Sequence, residues 1–267
     1  MNRISKMFEQ CRKRKEAALI GFVSAGDPDV ETSRKIIFSM LDHGMDLLEI
    51  GIPFSDPTAD GPAIQLASQR ALKAGMDLDT ALKMVREIRE KYPTPIVLFS
   101  YLNPILAHGP ETFCKDAAAA GADGVLVVDM PLEEADELLP FLEASGLVSI
   151  PLVAPTTPDD RMKEICKNAK GFLYLVSMTG VTGSGGLDPE KAGAMARKVR
   201  SLSPVPVALG FGISEASQVA ALGPHADGIV IGSAFVRAIG ETKDKEKISE
   251  ILGKMTGEFK QACKYSD

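Results

Sequence analysis

The chain opens on apolar positions that return with helical spacing: Ile4, Met7, Phe8 and Cys11 share one face of MNRISKMFEQCRKRKE, which predicts an amphipathic helix. The pattern then shortens. Ala17 to Ser24 is an apolar run of strand length, and the Gly26-Asp27-Pro28 turn caps a helix that reaches about His43 and ends at Gly44. Leu47 to Ile50 is a second strand. Gly51, Pro53, Pro57 and Gly61 then forbid regular structure, until Pro62 at a first-turn position starts a helix through about Lys73. A further helix begins near Asp79 with Leu82, Val85 and Ile88 on its inner face, Pro93 and Pro95 break it, and PIVLFSY is the third strand.

From there the pattern repeats. A helix closing at Ala117 to Ala120 precedes AGADGVLVVD, a fourth strand ending in Asp129, and PLEEADELLPFLEASG reads as one helix opened by Pro131 and acidic in its first turn. LVSIPLVAP is the fifth strand, Asp159 to Asn168 a helix and GFLYLVS the sixth strand. A glycine-rich loop, MTGVTGSGGLDP, leads to a helix from Pro189 to Leu202. VPVALG is the seventh strand, Ser214 to Leu222 a helix and ADGIVIG the eighth strand, and after GSAFVRAIG the tail from Lys243 to Lys264 is a charged helix. Strands alternating with helices must lie parallel with right-handed crossovers, and eight of them predict an α/β protein, a (β/α)8 TIM barrel with an extra N-terminal helix. No linker or shift in composition divides residues 1–267, so one domain is expected. An open doubly wound sheet is the competing architecture. It predicts a nucleotide fingerprint after the first strand, and Gly21 to Gly26 offers no G-x-G-x-x-G.

Composition narrows the function classes. With 45% hydrophobic and 25% charged residues the chain is ordinary globular protein, and a net charge of −6 argues against nucleic acid or an anionic membrane as the main partner. The four cysteines, Cys11, Cys114, Cys166 and Cys263, are scattered without metal-ligand spacing and read as reduced thiols of a cytoplasmic protein. His43, His108 and His225 lie beside glycine or proline in turns, which predicts surface or helix-end positions. No apolar run reaches membrane-spanning length, and the N-terminal stretch has no signal-peptide core.

Chemistry concentrates in LLEIGIPFSDPTADG, Leu47 to Gly61. Barrel chemistry sits at the C-terminal ends of strands, and strand alternation puts Leu47 and Glu49 on one side and Leu48 and Ile50 on the other, so an inward Leu47 aims Glu49 into the mouth. A strand-end ion pair is its dull alternative. Asp60 follows on the loop, as either a second acid-base group or a cap before Pro62. Asp129 reads as the cap of the Pro131 helix, and Tyr174 as a core aromatic whose hydroxyl needs a partner. Thr182-Gly183, Gly210 to Ser214 and Gly232-Ser233 fall at neighbouring strand ends, where bare backbone and the last helix N-terminus favour a phosphate. Phe22, Phe99, Tyr101, Val128, Val153 and Phe211 fall near strand ends as an apolar lining for a flat ligand, although core packing explains most of them as well.

The run LEIGIPFSDPTADGP, with SYLNPIL, MTGVTG, GFGIS and GSAFV in their places, closely resembles the tryptophan synthase alpha chain family across nearly the whole sequence. The resemblance implies a lyase of tryptophan biosynthesis that cleaves indole-3-glycerol phosphate to indole and glyceraldehyde 3-phosphate, a retro-aldol reaction without metal or organic cofactor. It implies Glu49 as the general acid and base at indole C3 and at the glycerol hydroxyl, and Asp60 as the group holding the indole N–H. Thr182 would close the loop onto Asp60 and Tyr174 would flank the site. Gly183, Gly212, Gly232 and Ser233 would hold the phosphate, with Phe22, Tyr101 and Phe211 around the indole. The implied partner is the pyridoxal-phosphate beta chain, in an α2β2 heterotetramer.

Three departures bear on rate and coupling: Thr58 where a large aliphatic residue is usual, Phe99 where a smaller one is frequent, and Ser184-Gly185-Gly186 in the closing loop. Three other functions stay open at this stage. They are a weakly catalytic activator of the beta chain, a stand-alone indole-releasing lyase, and a phosphosugar isomerase on a similar barrel.

Overall fold

The computed structural model describes residues 2–176, 188–210 and 212–265. The strands are β1 (Ala18–Ser24), β2 (Leu47–Gly51), β3 (Ile96–Ser100), β4 (Gly124–Val127), β5 (Val148–Ser149), β6 (Leu152–Val153), β7 (Leu173–Val176), β8 (Val207–Gly210) and β9 (Gly228–Ile231). The α-helices are α1 (Arg3–Lys13), α2 (Val30–Asp42), α3 (Pro62–Lys73), α4 (Leu78–Lys91), α5 (Leu102–His108), α6 (Pro110–Ala120), α7 (Leu139–Ala144), α8 (Asp159–Asn168), α9 (Pro189–Leu202), α10 (Ala216–Leu222), α11 (Ser233–Glu241) and α12 (Lys245–Ala262). The sheet order is β5-β4-β3-β2-β1-β9-β8-β7-β6, with parallel neighbours throughout.

The ring closes through 148–153. The sequence predicts one fifth strand there, and the structure divides it into β5, which pairs with β4, and β6, which pairs with β7. Pro151 has no N–H to give a ladder, so regular pairing breaks beside it. Backbone bonds still cross both seams, from Ile150 N to the Val125 carbonyl and from Tyr174 N to the Pro151 carbonyl, each 2.9 Å. The segment is therefore a single stave of a (β/α)8 barrel, bent at its proline.

A second correction concerns the helix expected from Pro131. Leu132–Glu137 is a 3-10 helix, and α7 begins only at Leu139. Inside one continuous helix Pro140 would clash with the Asp136 carbonyl and leave a hydrogen bond unmade, whereas at the start of α7 its missing N–H costs nothing.

Alternation along the staves sorts the core. Ile20, Phe22, Leu47, Val97, Phe99 and Leu126 pack with one another inside the barrel. Leu19, Val23, Leu48, Ile50, Leu98 and Val125 pack outward beneath the helices. The apolar face of α1 joins the inner cluster and stops the barrel's N-terminal end, with Phe8 set 5.6 Å from Phe172. Burying a side chain such as Ile4 or Phe8 contributes roughly 1.5–3 kcal/mol, so α1 is held by packing more than by its own helix propensity. With that end closed, the space that remains is at the C-terminal ends of the strands.

Candidate active site

Glu49 stands near the C-terminal end of β2, between Phe22 of β1 and Val97 of β3 in register. It is fully buried, and neither carboxylate oxygen has a hydrogen-bond partner among the described residues. An ionised carboxylate in that position would lose its hydration with nothing to replace it. Burial accordingly pushes the Glu49 pKa up to about 8. At neutral pH this glutamate carries a proton.

Asp60 reaches the same space from the loop before α3 and is 7% exposed. Burial raises its pKa to about 6, against the opposing effect of a hydrogen bond from Tyr101. It is ionised at neutral pH, so the two acids sit in opposite protonation states. The loop that carries Asp60 is held at several points. The Tyr101 hydroxyl accepts from Ala59 N at 2.9 Å, Phe54 packs 5.3 Å from the Tyr101 ring, and Gln65 Nε2 donates to the Asp60 carbonyl at 2.9 Å.

Both acids line a small cavity of about 30 Å³ with Phe22, Phe99, Tyr174, Gly212, Gly232 and Ser233. The Phe22 and Phe99 rings meet edge to face at 5.2 Å, an apolar wall beside Glu49. Tyr174 is buried, and burial above all, with the carboxyl groups of Glu49 and Asp60 nearby, pushes its phenol well above the ordinary value, so its hydroxyl keeps its proton. Two strand-end glycines make room for these rings. A Cβ on Gly51 would lie 2.6 Å from Phe22 Cζ, and one on Gly210 would lie 2.5 Å from Tyr174 Oη. Gly232 differs, since a Cβ there would meet Phe22 only at an ordinary 3.5 Å. It precedes α11, whose N-terminus has no side-chain cap and begins at the cavity with Ser233.

Other expected residues lie elsewhere. Tyr101 does not line the cavity; it stands behind Asp60. Val153 is buried in the outer core, and Val128, which packs against the inner cluster, lines a second pocket with Asp129 and Pro131. Asp129 is not the cap of the Pro131 segment. Its Oδ1 accepts from Leu102 N at 2.8 Å, so it serves the first turn of α5 on the neighbouring stave. Thr182, Gly183 and Phe211 lie outside the described residues. Ile64, Ile213 and Val230 line the cavity without having been expected. The signal for Ile64 was its helical spacing with Ala67 and Ala71, and for Val230 its alternation with Gly228 and Gly232. His43, His108 and His225 bond to Ser39, Asp116 and Arg197 away from the cavity, and all four cysteines are buried free thiols.

Comparison with known proteins bears on this geometry. The profile of the family described as tryptophan synthase alpha chain matches residues 8–264. A tryptophan synthase alpha chain from Desulfosudis oleivorans is 52% identical, covering 99% of this chain and 100% of its own length. One from Desulfatibacillum aliphaticivorans is 49% identical over the same shares of the two chains. The crystal structure of tryptophan synthase subunit alpha from Legionella pneumophila superposes with a TM-score of 0.91 at 37% identity, covering 98% of each chain.

Proposed function

The chain belongs to the tryptophan synthase alpha chain family, and we propose that the cavity at the end of β2 is where it cleaves indole-3-glycerol phosphate, with Glu49 and Asp60 dividing the acid-base work. The observation that carries this reading is the proton-bearing Glu49, without a hydrogen-bond partner among the described residues, in one cavity with an ionised Asp60.

The reaction needs indole to become a leaving group. Glu49 gives its proton to ring carbon C3, and the ring becomes a cation whose N–H end the Asp60 carboxylate stabilises. Glu49, now a carboxylate, takes the proton from the glycerol hydroxyl next to the ring. The C–C bond breaks, its electron pair returns the ring to indole, and the hydroxyl carbon becomes the aldehyde of glyceraldehyde 3-phosphate. Glu49 ends protonated, as it began. The phosphate binds at Gly212, Gly232 and Ser233 with the α11 N-terminus, and Phe22, Phe99 and Ile64 enclose the ring.

The reading includes a partner, a beta chain that consumes the indole in an α2β2 heterotetramer. No helix among the described residues is long and apolar enough to cross a membrane, and four reduced cysteines support a cytoplasmic setting. The test is indole release from indole-3-glycerol phosphate by the purified full chain, alone and with a beta chain. Slow release alone and faster release with the partner is expected; no indole in either arm would overturn the proposal.

A further inference from the structure

Arg70 lies on α3, two turns beyond the residues that enter the cavity. Its Nε and Nη2 donate to Asp27 Oδ1 and Oδ2, both at 2.7 Å, in a fork on a carboxylate whose side chain is completely buried. Asp27 belongs to the turn that follows β1, the stave that presents Phe22. On its other side the guanidinium lies against α11, where a Cβ on Gly240 would stand 3.0 Å from Nη1 and 3.2 Å from Cζ. One side chain thus joins three elements that each deliver part of the site: α3 with Ile64, β1 with Phe22, and α11 with Ser233.

We propose that Arg70 is a positioning residue for the lyase site, whose fork on Asp27 sets the seat of α3 and so the depth at which Asp60 and Ile64 enter the cavity. The linkage runs along α3. Arg70 stands six residues from Ile64, about 9 Å along a helix that moves as one rod. Gln65 on that rod holds the Asp60 carbonyl at 2.9 Å, so a shift of α3 carries Asp60 with it. The inner face of α3 is made of small Ala67 and Ala71, which fill little volume and leave its lateral seat to the arginine. Lysine keeps the charge but not the planar fork, so Arg70→Lys relaxes the seat without leaving Asp27 wholly unpaired.

This inference rests on the role given to Asp60 above. The test is steady-state cleavage by R70K in the full chain, with its pH profile, thermal melting and binding of glycerol 3-phosphate as a probe of the phosphate end. The expected result is a fall in kcat of about tenfold or more, since small misplacements of reacting groups are costly. Glycerol 3-phosphate affinity should stay within about twofold. The acid limb of the profile should move below 6, as water reaches Asp60 and its carboxylate returns toward ordinary values. If R70K fails to fold, Gly240→Ala, which presses a methyl group on the guanidinium within a regular helix, reads the same quantities. Unchanged kcat, or phosphate affinity and melting falling in step with kcat under an unmoved pH profile, makes Arg70 a structural pin and overturns the inference. A wild-type chain that releases no indole fails the functional reading itself, and the inference with it.

Discussion

Tyr101 holds Asp60 from behind: its hydroxyl accepts the Ala59 N–H at 2.9 Å and donates to the Asp60 carboxylate. A donor to the charged form lowers a carboxylate pKa, so this bond works against the burial that lifts Asp60 to about 6. Tyr101→Phe should therefore raise the Asp60 pKa further and move the acid limb of the kcat/KM profile toward neutrality, with several-fold loss at pH 7. An acid limb that stays in place or moves down would show that the phenol does not govern Asp60. The direction is opposite to that expected for R70K, so the two variants separate loss of the hydrogen bond from loss of the helix seat.

Glutamine at position 49 keeps the shape of the side chain and removes the transferable proton. Glu49→Gln should abolish indole release while leaving substrate affinity nearly unchanged, because the protonated acid and the amide fill the same apolar slot. Activity above a few per cent of wild type in a steady-state assay would remove Glu49 from the proton-transfer role.

The same residue imposes a pH dependence on folding. The Glu49 pKa is about 8 when folded against an ordinary 4.5, so the folded chain binds the proton more tightly than the unfolded one. Stability from this site is complete below the unfolded value and declines as pH rises from about 4.5 through about 8, by up to on the order of 4 kcal/mol. E49Q lacks that decline. Its melting temperature should gain on wild type steadily between pH 5 and pH 8, and parallel melting curves across that range would mean Glu49 is solvated in the folded chain.

Much of this was legible in the pattern of residues. Apolar runs separated by helical spacings are dictated by burial on both faces of a parallel sheet, and a lone carboxylate inside such a run marks itself, as Glu49 does. What stayed hidden depends on direction in space. An aromatic near a strand end looks the same whether it faces a ligand, as Phe22 does, or a loop, as Tyr101 does. Asp129 stood before a proline-led segment and yet serves the helix after β3, since neighbouring stave ends are close in space and distant in sequence. Likewise Gly210 and Gly232 both end strands with a bare backbone, and only the position of the Tyr174 ring shows that the first makes room for protein.

That difference gives opposite outcomes for the same substitution. At position 210 a methyl group would fall 2.5 Å from Tyr174 Oη, closer than real contacts allow. Gly210→Ala must displace the Tyr174 ring, with a stability loss of about 1–3 kcal/mol for overpacking a filled site. Thermal melting and kcat should fall together, and a variant with wild-type melting would place the Tyr174 ring away from Gly210.

At position 232 the methyl group meets only Phe22, at an ordinary 3.5 Å, so the fold has no steric need for glycine there. The chemistry has one, because the added carbon would stand between the phosphate and the backbone N–H groups at the start of α11. Gly232→Ala should melt within about 1 kcal/mol of wild type. Its KM should rise by about tenfold or more while kcat at saturation changes little, the signature of lost uniform binding. Steady-state kinetics with a parallel melt decide it. An unchanged KM would move the phosphate away from α11, and an unstable variant would mean that packing, not ligand approach, demands the glycine.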